Sequence, residues 1–172
     1  PVLYVGGGAV LSNGKEQVRR LAELFSLPVT STLMGLGAFP GTHSQFVGML
    51  GMHGTFEANK SMHNADLILA VGARFDDRVT NNVAKFCPHA KIIHIDIDPT
   101  SISKTIQVDV PIVGAVDTVL DQMLEAVEEL AIEIDDGALA DWWEQIDGWR
   151  AKRCLAYQKS DSIIKPQQVI ET

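Results

Sequence analysis

Six short apolar runs recur along this chain, and each one ends in a loop rich in glycine or in polar and charged residues. Segments with a helical spacing of apolar residues separate several of these runs. Such alternation is typical of a parallel sheet with helices packed on both faces. Loops that follow parallel strands gather along one edge of the sheet, where ligands bind. The sequence therefore predicts one site, built from six loops and shaped for a nucleotide-like ligand. The predicted strands are residues 2–5, 29–31, 46–50, 67–71, 92–95 and 110–113.

The segments between the strands complete the predicted fold. The clearest helix spans residues 117–130, because Val119, Met123 and Val127 recur on one helical face. We expect an α/β fold with a doubly wound, Rossmann-like parallel sheet of six strands in the order 3-2-1-4-5-6. Other predicted helices lie at residues 14–25 and 55–64, with weaker helical turns at 81–86 and 101–105.

A second part of the chain begins near Ile132, where the composition changes. Residues 133–137 are predicted to form an acidic connector, and residues 141–157 a helix that contains all three tryptophans. Such an apolar helix packs either on this domain or on a neighbour. Pro166 predicts the first turn of a further helix. For a piece of a longer protein, we expect a nucleotide-binding domain at 1–131, a connector at 132–164 and the start of another domain at 165–172.

Composition and charge argue against several classes of protein. A net charge of −8 disfavours a broad nucleic-acid interface, which needs a basic surface. No apolar run approaches the roughly 20 residues that span a bilayer, and the first residues have no signal-peptide character. Cys87 and Cys154 are expected to be reduced, buried thiols, and the histidines lack zinc-binding spacing. We therefore expect a cytoplasmic protein with no metal site in this chain.

The glycine-rich loop after the first strand allows the backbone to approach a phosphate or a sugar closely. Gly6 and Gly8 fit the first two positions of the dinucleotide fingerprint, but the third falls on Leu11. Ser31 and Thr32 stand where that fingerprint expects an acidic residue. The loop thus argues against an ordinary NAD dehydrogenase, and a simple tight turn would explain the glycines equally well.

Charged side chains follow the fourth strand. Arg74 and Arg78 alternate with Asp76 and Asp77, and arginine offers a planar fork for a phosphate or a carboxylate. A network of salt bridges would explain some of these charges. Metal binding by the two aspartates is poorly supported, because adjacent side chains diverge in an extended loop.

Two further loops carry candidate ligands. Asp96 ends the fifth strand, where a carboxylate can accept a ribose hydroxyl or an adenine amine, and we favour a ligand role for it. For Asp98, a ligand role and a capping role at the following helix are equally good interpretations. His53 lies between Gly51 and Gly54, which suggests a backbone that passes close to a flat group.

Four ordered motifs resemble those of one known family. They are residues 34–40, 49–55, 71–78 and 94–99, and they look like the central domain of acetohydroxyacid synthase (acetolactate synthase) large subunits. The tryptophan helix and residues 165–167 also resemble the segment that leads into the family's third domain. The likeness covers essentially all 172 residues and is closest to the bacterial biosynthetic isozyme with a separate regulatory subunit.

The resemblance implies an activity and a set of cofactors. Members of the family condense pyruvate with a second 2-oxoacid, pyruvate or 2-oxobutyrate, with loss of CO₂, in branched-chain amino acid biosynthesis. They bind FAD in the central domain without net redox chemistry, and thiamine diphosphate and Mg²⁺ through the other domains. They form homo-oligomers with a small regulatory subunit. Because the catalytic glutamate and the Gly-Asp-Gly motif belong to the other domains, we expect this chain alone to lack synthase activity.

The resemblance also implies which residues serve the site. Met52, Asp77 and Arg78 match residues that face the substrate channel, where the arginine recognises the carboxylate of the second 2-oxoacid. The implied flavin-binding residues are Gly6, Gly7, Gly8, Thr32, Leu33, Met34, Gly51, Met52, His53, Gly54, Gly72, Ala73, Arg74, Asp76, Arg78, Val79, Asp96, Ile97, Asp98, Gly114 and Ala115.

Two other interpretations stay open at this point. One is the central domain of another thiamine diphosphate enzyme, such as glyoxylate carboligase or pyruvate oxidase. The other is a free-standing nucleotide-binding or regulatory module of the same fold. The charged loop at 74–78 and the Met-His-Gly sequence at 52–54 favour the acetohydroxyacid synthase.

Overall fold

The computed structural model describes residues 1–135 and 137–172. Six parallel strands form one sheet in the order β3-β2-β1-β4-β5-β6, which confirms the predicted fold and strand order. The chain starts in the middle of the sheet and changes direction after β3, so that the switch point lies between β1 and β4. The strands are β1 (Val2–Val5), β2 (Val29–Ser31), β3 (Phe46–Met49), β4 (Leu67–Val71), β5 (Lys91–Asp96) and β6 (Val110–Val113).

The main crossover helices lie within one or two residues of their predicted positions. The Thr55 hydroxyl caps one of them by accepting the backbone N–H of Ala58 at 3.2 Å. The helices are α1 (Gly7–Leu11), α2 (Lys15–Leu24), α3 (Phe56–Asn64), α4 (Asp77–Thr80), α5 (Val116–Glu129), α6 (Ala140–Arg150) and α7 (Pro166–Glu171).

The core has two layers, one on each face of the sheet, and successive side chains of β1 point into them alternately. Leu3 and Val5 point into one layer, which α2 and α5 complete. Val2 and Tyr4 point into the other layer, which α3 and α6 complete. Because helices cover both faces, the central strands are apolar along their whole length and do not alternate with polar residues. The polar loops are therefore confined to the two ends of the sheet.

Several predicted helical segments differ in the structure. The glycine turn already begins α1 at Gly7, about two turns before the predicted helix, and Asn13 in the left-handed region (φ 60°) separates α1 from α2. Residues 101–105 form turns and not a helix, and Ser103 has a φ of 58° there. Residues 81–86 contain only a short 3₁₀ turn at Val83–Lys85. These segments lack an apolar face long enough to stabilise a helix.

The tryptophan helix α6 packs on this domain, which settles the choice left open by the sequence. Ile146 is fully buried in the second core layer. The indole N–H of Trp142 donates to the carbonyl of Pro1, and that of Trp143 donates to the carbonyl of Ser26. The helix ends at Arg150, earlier than predicted. Part of the predicted connector thus belongs to the core of the domain, and Asp136 of that connector lies outside the described residues.

The guanidinium group of Arg150 attaches the end of α6 to the edge strand of the sheet. One of its nitrogens donates to the carbonyls of Ser44 at 2.6 Å and Phe46 at 3.0 Å. The same group lies 5.3 Å from the ring centre of Trp143 and pairs with Asp147 at 3.0 Å. Helix α6 is therefore fixed to the amino-terminal end of the sheet, opposite the loops that carry the candidate ligands.

The two cysteines differ in their surroundings. Both are free thiols, but only Cys87 is buried, so the expectation that Cys154 is buried was wrong. Burial raises the pKa of the Cys87 thiol to about 12. Cys154 follows the end of α6, where its sulfur lies 3.4 Å from a carboxylate oxygen of Glu57. Within residues 1–135 and 137–172, no helix is long and apolar enough to cross a membrane.

Candidate functional site

A cavity of about 920 Å³ lies at the carboxyl edge of the sheet, over the switch point. The loops after all six strands contribute to its lining, as the strand pattern predicts. The expected residues that line it are Gly7, Gly8, Thr32, Leu33, Met34, Met52, His53, Gly72, Arg74, Asp76, Arg78, Val79, Asp96, Ile97, Gly114 and Ala115.

Five of the expected residues do not line this cavity: Gly6, Gly51, Gly54, Ala73 and Asp98. The four small residues among them lie behind the cavity wall, where loops pack on one another. A Cβ on Gly51, for example, would lie 2.6 Å from the carbonyl oxygen of Arg78.

Close packing also explains part of the glycine-rich turn. A Cβ on Gly8 would lie 2.6 Å from the Cα of Gly72, and a Cβ on Gly6 would clash with the carbonyl group of the same Gly72. The turn after β1 and the turn after β4 are thus in direct backbone contact, next to the switch point. Gly6 and Gly8 are therefore required by the contact between the two loops. Gly7 and Gly8 also line the cavity.

The two aspartates after β5 have different roles. One carboxylate oxygen of Asp96 accepts the backbone N–H of Asp98 at 2.9 Å, and the residue lines the cavity. Asp98 instead accepts hydrogen bonds from the Thr100 backbone and hydroxyl and from the Ser101 hydroxyl. These bonds, above all the one from the Thr100 hydroxyl, lower the pKa of Asp98. Asp98 therefore stabilises a local turn, and Asp96 is the carboxylate at the cavity.

The charged loop after β4 forms one wall of the cavity. A guanidinium nitrogen of Arg74 lies 3.1 Å from a carboxylate oxygen of Asp76. Arg78 directs another such nitrogen to the sulfur of Met52 at 3.6 Å. The Asp77 carboxylate accepts the backbone N–H of the adjacent Arg78 and does not line the cavity. Both arginine side chains are more than two-thirds exposed, so their remaining donors are available to an anion.

Apolar side chains surround the opening of the cavity. Leu33, Met34, Met52 and Ile97 all line it, and each is at least half exposed. Scattered exposed apolar residues are ordinary, but four around one cavity favour a ligand with a flat apolar part. The site thus combines two arginines, the carboxylates of Asp76, Asp96 and Asp117, and an apolar rim.

Six residues that line the cavity were not expected from the sequence. Among them, the Ser12 hydroxyl and one carboxylate oxygen of Asp117 are buried and have no hydrogen-bond partner in the described part of the chain. The sequence analysis assigned Asp117 only to the start of a helix, and it lies in the first turn of α5 as well as in the cavity lining. The unexpected residues are Leu11, Ser12, Met49, Leu50, Val116 and Asp117.

Comparison with known proteins agrees with this architecture. The family model described as "Thiamine pyrophosphate enzyme, central domain" matches residues 1–123. The chain belongs to the family of thiamine pyrophosphate enzyme central domains. The matched residues include all six strands and every residue that lines the cavity.

Three relatives of this chain are acetolactate synthases or their large subunits. The chain is 58% identical over 172 residues to the acetolactate synthase isozyme 3 large subunit of Escherichia coli, covering 100% of this chain and 30% of the relative. It is 54% identical over 171 residues to the acetolactate synthase large subunit of Haemophilus influenzae, covering 99% of this chain and 30% of that protein. For the acetolactate synthase of Mycobacterium leprae, the identity is 46% over 172 residues, with 99% and 27% covered. The expected resemblance is thus confirmed, and the chain spans less than a third of these curated relatives.

Proposed function

We propose that this chain is the FAD-binding central domain of an acetolactate synthase large subunit. The observation that carries the proposal is the cavity, because the loops after six strands converge there in a chain whose relatives include acetolactate synthase large subunits. The implied flavin-binding residues that line it supply the contacts. The domain at 1–131 would hold the cofactor, followed by the connector at 132–164 and the start of the thiamine diphosphate-binding domain at 165–172.

The chemistry of the cavity fits a flavin dinucleotide. Its volume of about 920 Å³ lies within the range of roughly 300–1,000 Å³ that is usual for cofactor sites. Asp96 offers an acceptor to ribose hydroxyls, and Arg74 and Arg78 offer donors to a diphosphate. The apolar side chains at the opening, Leu33 and Met34 among them, offer contact area to an isoalloxazine ring.

In the whole protein, the proposed reaction is the condensation of pyruvate with pyruvate or 2-oxobutyrate, with loss of CO₂. Thiamine diphosphate, held with Mg²⁺ by other parts of that protein, supplies the carbanion chemistry. Arg78 would orient the second 2-oxoacid through its carboxylate, and Met52 would pack beside it. We infer a cytoplasmic homo-oligomer with a small regulatory subunit, as the resemblance implies.

Thermal unfolding with added cofactor tests the flavin assignment. At 100 times its dissociation constant, a ligand stabilises the folded state by about 2.7 kcal/mol. For a chain of this size, that raises Tm by roughly 5–10 °C. We expect this rise with FAD and not with NAD. An equal rise with NAD, or none with FAD, would contradict the proposal and favour a different nucleotide-binding module.

The two aspartates after β5 offer a matched pair of variants. Asp96→Asn should weaken FAD binding, since a carboxylate acceptor at the cavity is lost, and flavin fluorescence titration measures the change. Asp98→Asn removes the same charge two residues away, outside the cavity lining. It should leave the FAD dissociation constant within about twofold of the original value, because its side chain can still accept the Thr100 N–H.

A further inference from the structure

Two buried side chains hold the charged loop after β4 from inside the protein. The imidazole Nε2 of His94, in β5, donates to the carbonyl oxygen of Ala73 at 2.8 Å. The hydroxyl of Tyr4, in β1, donates to the next carbonyl oxygen, that of Arg74, at 3.1 Å. Both side chains are fully buried, and neither lines the cavity. Two consecutive peptide groups of the loop are therefore fixed from the core side.

The aromatic ring of Phe75 secures the same segment. It packs against Tyr4 with ring centres 5.5 Å apart and against His94 edge-on at 5.2 Å. Phe75 is 5% exposed, whereas the neighbouring side chains of Arg74 and Asp76 are 71% and 55% exposed. Because side chains alternate along an extended segment, holding Phe75 inward directs its two charged neighbours outward to the cavity.

The hydrogen bond to Ala73 requires a particular form of His94. A neutral imidazole with its proton on Nε2 donates to the carbonyl and leaves Nδ1 as an acceptor. That Nδ1 is buried and has no partner in the described part of the chain. Burial lowers the pKa of His94, which favours the neutral ring. Asp96 lies 3.8 Å from Nε2, beyond hydrogen-bond distance.

We propose that Tyr4 and His94 are positioning residues of the ligand site, which set the direction of Arg74 and Asp76 by holding the two carbonyls behind them. For its consequence on ligand affinity, this inference rests on the proposed flavin site. For the order of the loop itself, it rests only on the contacts described. Arg78 follows four residues after Arg74, in the short helix α4 into which the loop continues.

Limited digestion with trypsin tests the order of the loop without any ligand. The enzyme cleaves after Arg74 and Arg78 when the loop leaves its position, and cleavage after the exposed Lys104 provides an internal reference. Tyr4→Phe deletes one hydroxyl and keeps the ring that contacts Phe75. We expect it to raise cleavage in the loop, relative to Lys104, by about five- to tenfold, the effect of one lost hydrogen bond.

The histidine is tested by a pair of variants. His94→Leu removes the donor, and we expect it to raise relative cleavage at Arg74 by about tenfold. His94→Gln keeps an amide donor of similar reach, and we expect it to lie closer to the original protein. Tyr157→Phe and His63→Gln alter the same residue types at a half-buried and an exposed position outside the charged loop, and these matched controls should leave the ratio unchanged.

Flavin binding provides the second measurement. Where the original chain binds FAD, Tyr4→Phe and His94→Leu should raise its dissociation constant about five- to tenfold, with rescue by His94→Gln. Unchanged loop cleavage in both Tyr4→Phe and His94→Leu would overturn the inference, as would cleavage that rises equally at Lys104. Failure of the original chain to bind FAD would instead contradict the proposed function, and the proteolysis result would still decide the positioning role.

Discussion

The backbone N–H of Met52 donates to the carbonyl oxygen of Arg78 at 3.0 Å. The two residues follow β3 and β4, strands that are separated in the sheet by β2 and β1. Their loops therefore meet across the top of the two central strands and close one side of the cavity. This hydrogen bond thus joins a loop at the edge of the sheet to the charged loop at its centre.

Gly51 is required where these two loops meet. Its φ of +97° is unfavourable for any residue with a side chain, and a Cβ would lie 2.6 Å from the Arg78 carbonyl oxygen. We predict that Gly51→Ala lowers the free energy of unfolding by about 1–3 kcal/mol, measured by urea denaturation. Gly41→Ala is the control, since nothing lies within 4 Å of its Cβ position. An equal loss in both variants would contradict the prediction.

Arg78 allows a test of the proposed channel role in the full-length protein that carries this chain. We predict that Arg78→Ala reduces formation of the condensed product more than decarboxylation of pyruvate. The physical reason is that the guanidinium group would recognise the carboxylate of the second substrate only. Product assays and CO₂ release, measured in parallel, separate the two steps. An equal decrease in both rates would show that the arginine has no such role.

Helix α6 should contribute to the stability of the domain. Ile146→Ala removes a fully buried side chain from the second core layer, and such truncations cost about 2–5 kcal/mol of unfolding free energy. Gln145→Ala, one position earlier and exposed, should change stability by less than about 0.5 kcal/mol. Chemical denaturation measures both variants. If Ile146→Ala had no effect, α6 would not be part of the core.

The two thiols should react at very different rates. Cys154 is exposed, whereas Cys87 is buried and burial raises its pKa to about 12. Since the thiolate is the reactive form, we predict that iodoacetamide at pH 8 modifies Cys154 and leaves Cys87 unmodified in the folded chain. Peptide mass spectrometry identifies the site. Both thiols should react once the chain is unfolded in urea, and early modification of Cys87 would contradict the burial.

His94 should make the stability of the fold depend on pH. Burial lowers its pKa in the folded state below the unfolded value of about 6.5. The unfolded chain therefore takes up a proton first as the pH falls. The stability is fully present above about pH 6.5 and is lost as the pH falls through the folded pKa. Urea midpoints between pH 8 and pH 5 measure this loss, which should be smaller in His94→Gln.

The sequence predicted the central strands well because β1 and β4 are uninterrupted apolar runs, and a buried parallel strand needs no other signal. The short helix at Gly7 could not be predicted in this way, since its 5 residues are too few to show a helical repeat of apolar residues and it packs on Gly72. For Asp98, the sequence left a ligand role and a capping role equally open. The hydroxyls of Thr100 and Ser101 decide between them, because they donate to the Asp98 carboxylate in a local turn outside the cavity lining.

Other parts of the site depend on contacts between distant segments. Tyr4 reads as an ordinary apolar residue of β1, and nothing in its neighbourhood along the chain reveals that its hydroxyl reaches a carbonyl 70 positions later. Ser12 and Asp117 come together at the cavity from different helical regions. The order of the parallel strands predicts that the loops meet at one edge of the sheet. It does not predict which side chains of those loops contact one another.

The attachment of Arg150 to β3 has a consequence for association between molecules. β3 is an edge strand, and its outward carbonyls are where a strand of another chain would add. The guanidinium group already occupies the carbonyls of Phe46, the first residue of β3, and of Ser44 just before it. A helix that fills the core therefore also takes up hydrogen-bond acceptors at a border where the sheet could otherwise extend.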